Sequence, residues 1–276
     1  CITVTEERSQ SVYFSDADYE GGVVVVVADE STAAEDMGFF ENLKESFCKN
    51  FIKESRWKML LSGLGITVLI SVCSGLLGAV LGFGVCMMRR CQNKIPRGIA
   101  AVYIRIMQGT PILVFLMILY YVIFGKSDIS PVIVAIIGFA VNFSAYVSEM
   151  MRMGIASVDK GQNEAALALG YTKRQSFFKV VFPQAARHFL PVIKGEFISL
   201  VKMTSIVGYI TIQDLTKASD IIRSRTYEAF FPLIVTAIIY FAISWLLTVA
   251  LSRIEIRLDP KRRRKNRKIR AKEANL

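Results

Sequence analysis

The chain has 276 residues, 53% of them hydrophobic, with a mean hydropathy of +0.42 and a formal net charge of +11. So apolar a composition excludes an ordinary soluble domain. The five Cys show no metal or redox spacing, and the single His, His188, has no nearby Cys or Asp partner, so the sequence offers no catalytic constellation.

The chain opens CITVTEERSQSVYFSDADYEGGVVVVVADE. Val23 to Val27 reads as a buried strand with no visible sheet to join. Residues 1–28 are too few to bury a core of their own, so they are expected to be a remnant, or part of a fusion whose other parts are missing. Residues 29–57 read as a linker that turns amphipathic. Phe39, Phe40, Leu43, Phe47 and Phe51 fall near helical spacing, which predicts a helix on the outer membrane surface or packed on a missing domain.

Four uncharged runs follow: Met59–Met88, Ile106–Gly125, Ile129–Ser148 and Ala229–Ser252. About 20 apolar residues span the hydrocarbon core, and only hydrogen-bonded helices or closed barrels do so without stranding backbone groups. None of the runs alternates strictly, so helices are predicted. Along the first run Gly75, Gly78 and Gly82 form a small-residue face of the kind that lets helices approach closely. In the second run Pro111 should break the helix into a short interfacial piece and a spanning piece.

Charge sets the predicted orientation. The segment from Arg89 to Arg97, the loop from Arg152 to Arg187 and the tail from Arg253 are basic, and basic segments stay in the cytoplasm. The same rule adds a span that hydropathy nearly misses. Phe189 to about Thr211 contains Lys194, Glu196 and Lys202, yet without it the tail would be exported. The fold expected is therefore an all-α integral membrane domain of five transmembrane helices over residues 58–258, N-terminus outside and C-terminus cytoplasmic. The tail, residues 259–276, reads as a topology anchor touching anionic membrane lipid, with no nucleic-acid partner, because it follows a membrane helix directly.

The loop between the third and fourth predicted spans reads GQNEAALALGYTKRQSFFKVVFPQAARHFLP. Strong helix formers surround an apolar set of Ala165, Ala166, Leu167 and Leu169, with Glu164 placed in the first turn, where its charge suits the helix dipole. Gly170 permits a tight turn into a second short helix over Tyr171–Val181. Inside the spans, polar side chains need a reason. Asn142, Glu149, Thr204 and Ser205 are the candidates for lining a translocation path, and Glu149 can pair with Arg152 three residues on. No phosphate-binding loop is present, so ATP chemistry has no seat in this sequence.

That loop resembles the cytoplasmic coupling loop of ATP-binding-cassette (ABC) importer permeases, in their polar-amino-acid branch. QGTPILVFLMILYY (Gln108–Tyr121) and SAYVSEMMRMGI (Ser144–Ile155) are similar to further segments of that branch, with Gln108 in place of a usual Arg and Met153 in place of a usual Gly. The resemblance implies a type I importer permease in the bacterial inner membrane. Glu164, Ala165, Ala166, Leu169 and Gly170 would dock on a dimer of ATPase subunits that binds the ATP. The chain itself would hold no cofactor and carry no enzymatic activity. It also implies a second permease chain, identical or not, and an amino-acid-binding receptor protein or domain. The first residues resemble part of such a receptor, where Arg8 matches the residue that holds the ligand α-carboxylate. Two rival readings stay open here: a secondary transporter or channel, and a non-transporting product of a truncated receptor–permease fusion.

Overall fold

A computed structural model describes residues 13–14, 26–27, 51 and 55–258. The chain divides into two units, Cys1–Lys49 and Asn50–Leu276. In the first, β1 (Tyr13–Phe14) pairs antiparallel with β2 (Val26–Val27), Tyr13 opposite Val27. The end of the valine run therefore does join a strand, where the sequence offered none. The pairing partner is only two residues long and carries no strand pattern that could have been read in advance. Arg8 and residues 29–50 lie outside the described residues.

The regular structure among the described residues of the second unit is all helical: α1 (Trp57–Arg90), α2 (Lys94–Gly109), α3 (Ile112–Met117, continuing as a π-helical turn Ile118–Ile123), α4 (Pro131–Ala156), α5 (Lys160–Ala168), α6 (Lys173–Ser176, continuing as a π-helical turn Phe177–Val181), α7 (Phe182–Met203, continuing as a 3₁₀ stretch Thr204–Ile210), α8 (Leu215–Thr226) and α9 (Phe230–Leu258). Among the described residues, three helices are long and apolar enough to cross a membrane singly: α1, α4 and α9 as far as Arg253. Together α2 and α3 make a fourth candidate, bent by 106° at Thr110–Pro111. The bend falls at the expected proline, but the pieces differ from expectation. The first is the longer, at 16 residues. At 1.5 Å per residue it reaches only about 24 Å of the roughly 30 Å needed. At 22 residues α7 is long enough to span, and its four charges, Arg187, Lys194, Glu196 and Lys202, explain why composition alone passes it over.

Close backbone approach organises the bundle. A Cβ on Gly78 would sit 2.8 Å from the Ala140 carbonyl, and one on Gly82 would sit 2.8 Å from Val147, so α1 lies directly on α4. Gly75 meets the Phe197 ring of α7, while Gly65 and Gly84 face open space. Within lipid there is little hydrophobic gain from bringing two apolar helices together, so such contacts and cross-helix hydrogen bonds carry the association. Ser74 Oγ donates to the Ile136 carbonyl at 3.2 Å, and the Tyr103 hydroxyl reaches the Val141 carbonyl and Ser144 Oγ at 2.6 Å each. Phe139, Phe143, Val147, Phe189 and Leu200 fill the centre.

Phe51 is buried against α9, its ring 5.8 Å from that of Phe231, so this one residue of the amphipathic segment packs into the bundle rather than lying on its surface.

Candidate coupling and translocation sites

Local hydrogen bonds build the segment between α4 and α7. Asp159 caps α5, accepting from the Gly161 amide at 2.6 Å. The helix begins at Lys160, one turn earlier than the sequence suggests, so Glu164 sits past the first turn and the favourable charge at the positive end belongs to Asp159. Gly170 stops α5 with φ of +84°, a left-handed conformation that costs a β-carbon-bearing residue about 1–2 kcal/mol. Thr172 then opens α6 with a capping box. Its hydroxyl accepts from the Gln175 amide at 3.2 Å, and the Gln175 side chain accepts from the Thr172 amide at 2.9 Å. Ser176 Oγ donates to Asn163 Oδ1 at 2.7 Å and fixes the two short helices together.

The apolar set of α5 divides in two. Ala166 is 3% exposed and turned into the chain, whereas Leu169 is 80% exposed. Glu164, Ala165 and Gly170 are exposed as well. An exposed leucine beside a glycine-set turn, next to a helix pinned at both ends, is a rigid apolar knob. The π-helical turn Phe177–Val181 joins this segment to α7 through the rings of Phe177, Phe178 and Phe182. Arg90, at the end of α1, lies over the Phe177 ring at 5.1 Å.

Of the four path candidates, Asn142 alone stands at the α2–α3 break. Its Nδ2 donates 3.1 Å to the Met107 carbonyl, which the end of α2 leaves without a helical partner. A cavity of about 310 Å³ lies there, lined by Gln108, Thr110, Pro111, Asn142, Tyr146 and Met203. Gln108 and Tyr146 were not among the candidates. The signals were present in the break at Pro111, which exposes Gln108, and in the position of Tyr146 one turn beyond Asn142. Glu149 lies elsewhere, in an ionic knot. Arg152 Nη2 and Nε reach its Oε2 at 2.7 and 2.9 Å, and Arg89 Nε stands 3.9 Å from its Oε1, tying the end of α1 to α4. Thr204 is buried and spends its hydroxyl on the Val201 carbonyl at 2.7 Å. Ser205 is half-buried.

At the far end of the bundle the two irregular segments meet. The Tyr120 hydroxyl lies 3.2 Å from Thr211 Oγ1, and the Tyr121 hydroxyl donates 3.0 Å to the Tyr209 carbonyl. Thr211 has φ of 66°, unusual for a β-branched residue. Beside it Asp214 is fully buried as the cap of α8, accepting from the Thr216 and Lys217 amides at 3.1 and 3.0 Å. Burial raises its carboxyl above the ordinary range, and the two amides with the Tyr240 and Thr216 hydroxyls partly oppose that shift.

A helical bundle with a broken crossing, a polar cavity at the break and a rigid projecting knob has the form of a membrane transport subunit. Residues 59–264 match the family described as the inner membrane component of binding-protein-dependent transport systems, and the chain belongs to that family. It is 37% identical over 185 residues to the probable amino-acid ABC transporter permease protein YckA of Bacillus subtilis, covering 67% of this chain and 82% of that one. It is 33% identical over 213 residues to the L-cystine transport system permease protein TcyB of the same organism, covering 76% and 91%. A solved structure described as an amino acid ABC transporter with histidines superimposes with a TM-score of 0.68 at 33% identity, covering 81% of this chain and all of the other. The chain is thus a multi-pass cell-membrane protein with the fold of an ABC importer permease.

Proposed function

We propose that the chain is the permease subunit of an ABC importer for polar amino acids, with five spans, the N-terminus outside and the C-terminus cytoplasmic. In this reading α7 is the span that hydropathy passes over. A dimer of ATPase subunits binds ATP and closes on Leu169, Ala165, Glu164 and Gly170. The rigid α5–α6 unit passes that motion through the Phe177 and Phe182 rings into α7. The path runs through the cavity at the α2–α3 break, where Asn142, Gln108 and Tyr146 offer neutral hydrogen-bonding groups to a zwitterion, with Thr204 and Ser205 following Met203 at the end of α7. Glu149 acts as a tie between helices rather than as a contact for the cargo. The Tyr120–Thr211 and Tyr121–Tyr209 contacts hold the outer end shut between cycles. A second permease chain completes the passage, and a separate amino-acid receptor delivers the ligand.

The observation that carries this reading is the 80% exposure of Leu169 on a helix capped by Asp159 and stopped by Gly170. An apolar side chain so placed has no role in the chain's own packing. The amino-acid class rests on the named substrates of the relatives, an amino acid for YckA and L-cystine for TcyB. Reconstitution in liposomes with the ATPase subunit and receptor tests it. Uptake of radiolabelled polar amino acids should require internal ATP and both partners. Uptake driven by an ion gradient with neither partner present contradicts it.

A further inference from the structure

Away from the coupling loop and the helix break, α1, α4, α7 and α9 enclose a cavity of about 240 Å³. Its walls are apolar, formed by Val72, Leu76, Ala79, Phe143, Ile193 and Leu251 among others, and Gly75 lies in its floor against Phe197. At one end sit Lys194 and Glu255. The ammonium of Lys194 donates to Glu255 Oε2 at 2.9 Å and to Ser252 Oγ at 3.2 Å. An ammonium has three donors, so one N–H remains for an acceptor at the mouth of an apolar cavity.

Depth fixes what kind of acceptor that is. Ala229–Ser252 is uncharged and Arg253 is the first charge after it, so Ser252 and Glu255 fall where a span of about 20 residues leaves the hydrocarbon. The apolar part of the cavity extends from there toward mid-helix residues of α1. On its rim Val72 is 39% and Leu76 67% exposed, so it opens on an uncovered face of a helix long and apolar enough to cross a membrane. A molecule matching both ends must be an amphiphile lying in one leaflet, with its oxygen acceptors at headgroup level and its chain in the hydrocarbon.

We propose that this cavity is a binding site for a glycerophospholipid of the leaflet at the basic end of the bundle, one acyl chain lying between α1 and α9 and its ester or phosphate oxygens accepting from Lys194. The proposal rests on the membrane placement of the chain and not on which substrate it carries. The bound lipid fills the seam beside α9, a helix with little of its span buried in the bundle.

The test uses the permease–ATPase complex in lipid nanodiscs containing a phosphatidylglycerol with a photoreactive diazirine on its acyl chain. Label should concentrate on residues 72–79 and 190–197. In Ala79→Phe, which fills the cavity, it should fall about tenfold, the loss expected when two buried methylenes are displaced. The double variant Lys194→Met with Glu255→Leu keeps the helices in neutral contact and should also lose label. ATP-driven uptake, measured on the same samples, reports separately on the permease reading. Label spread evenly over the outer faces of α1 and α9, or unchanged in Ala79→Phe, overturns the proposal. So does a crosslink from Leu76 to a second permease chain, which would make the cavity a subunit interface.

Discussion

The α5–α6 segment and the α1–α4 seam are held by opposite means. The first is a run of local devices, Asp159 on Gly161, Gly170 at positive φ and Thr172 with Gln175, all within a few residues and all in contact with solvent. The second depends on pairs far apart in the chain, Gly78 on Ala140 and Gly82 on Val147, with no water at hand to replace a lost contact. A segment built locally can be perturbed without unfolding the bundle, which is what a moving joint needs. A seam built from backbone approach has no such freedom.

The largest effect that separates the two is expected at the seam. Gly78→Ala places a carbon 2.8 Å from a backbone carbonyl and should cost about 1–3 kcal/mol, with a matching fall in the detergent melting temperature. Gly84→Ala, which meets open space, should leave the melting temperature unchanged or slightly raised. Equal losses at both positions would mean that the seam is looser than it looks.

At the joint, Gly170→Ala has nothing within 4 Å to strike, so its cost is the left-handed backbone alone, about 1–2 kcal/mol and confined to the turn. ATP-driven uptake should fall while the melting temperature of the bundle holds. Thr172→Ala removes a cap worth about 1 kcal/mol and should reduce coupling less than the glycine change does. Protection of the α6 amides against hydrogen exchange would report it.

The same contrast governs what the sequence revealed. In the α5–α6 segment the glycine stop and the second short helix were legible because turns act over short range, whereas the caps at Asp159 and Thr172 went unread and α5 starts one turn earlier than expected. The division of Ala166 inward and Leu169 outward also needed the fold, since the sequence does not say which face the rest of the chain covers. The break at Pro111 was legible, but not the lengths on either side, because the fate of Lys94–Gly109 depends on its contacts with α4 through Tyr103. Lys194 drew attention as a charge in a span, but its partner Glu255 lies beyond the next helix start and no spacing rule connects them. The tyrosine clasp at Thr211 left no local pattern, and Asp214 has the local form of a helix cap but nothing nearby in sequence marks its burial.

Asp214 supplies the smallest effect. Its carboxyl is raised by burial, so the protonated form suits the fold better than the charged form does. The stabilisation is complete below the unfolded-state value and is lost as pH rises through the raised one. Asn caps a helix as well as Asp does, so Asp214→Asn should match or exceed the wild type in melting temperature near neutral pH. The wild type should gain on it as pH is lowered through the carboxylate range. A difference that does not move with pH would remove Asp214 from the account.

In the proposed mechanism force enters through the exposed end of α5. Leu169→Asp tests it most directly, because the side chain is 80% exposed and packs little within its own chain. The measurement is co-purification of the ATPase subunit with the variant, alongside its melting temperature. The melting temperature should be unchanged and the ATPase should be lost from the purified complex. An ATPase retained at the wild-type ratio, with ATP-driven uptake intact, would contradict it.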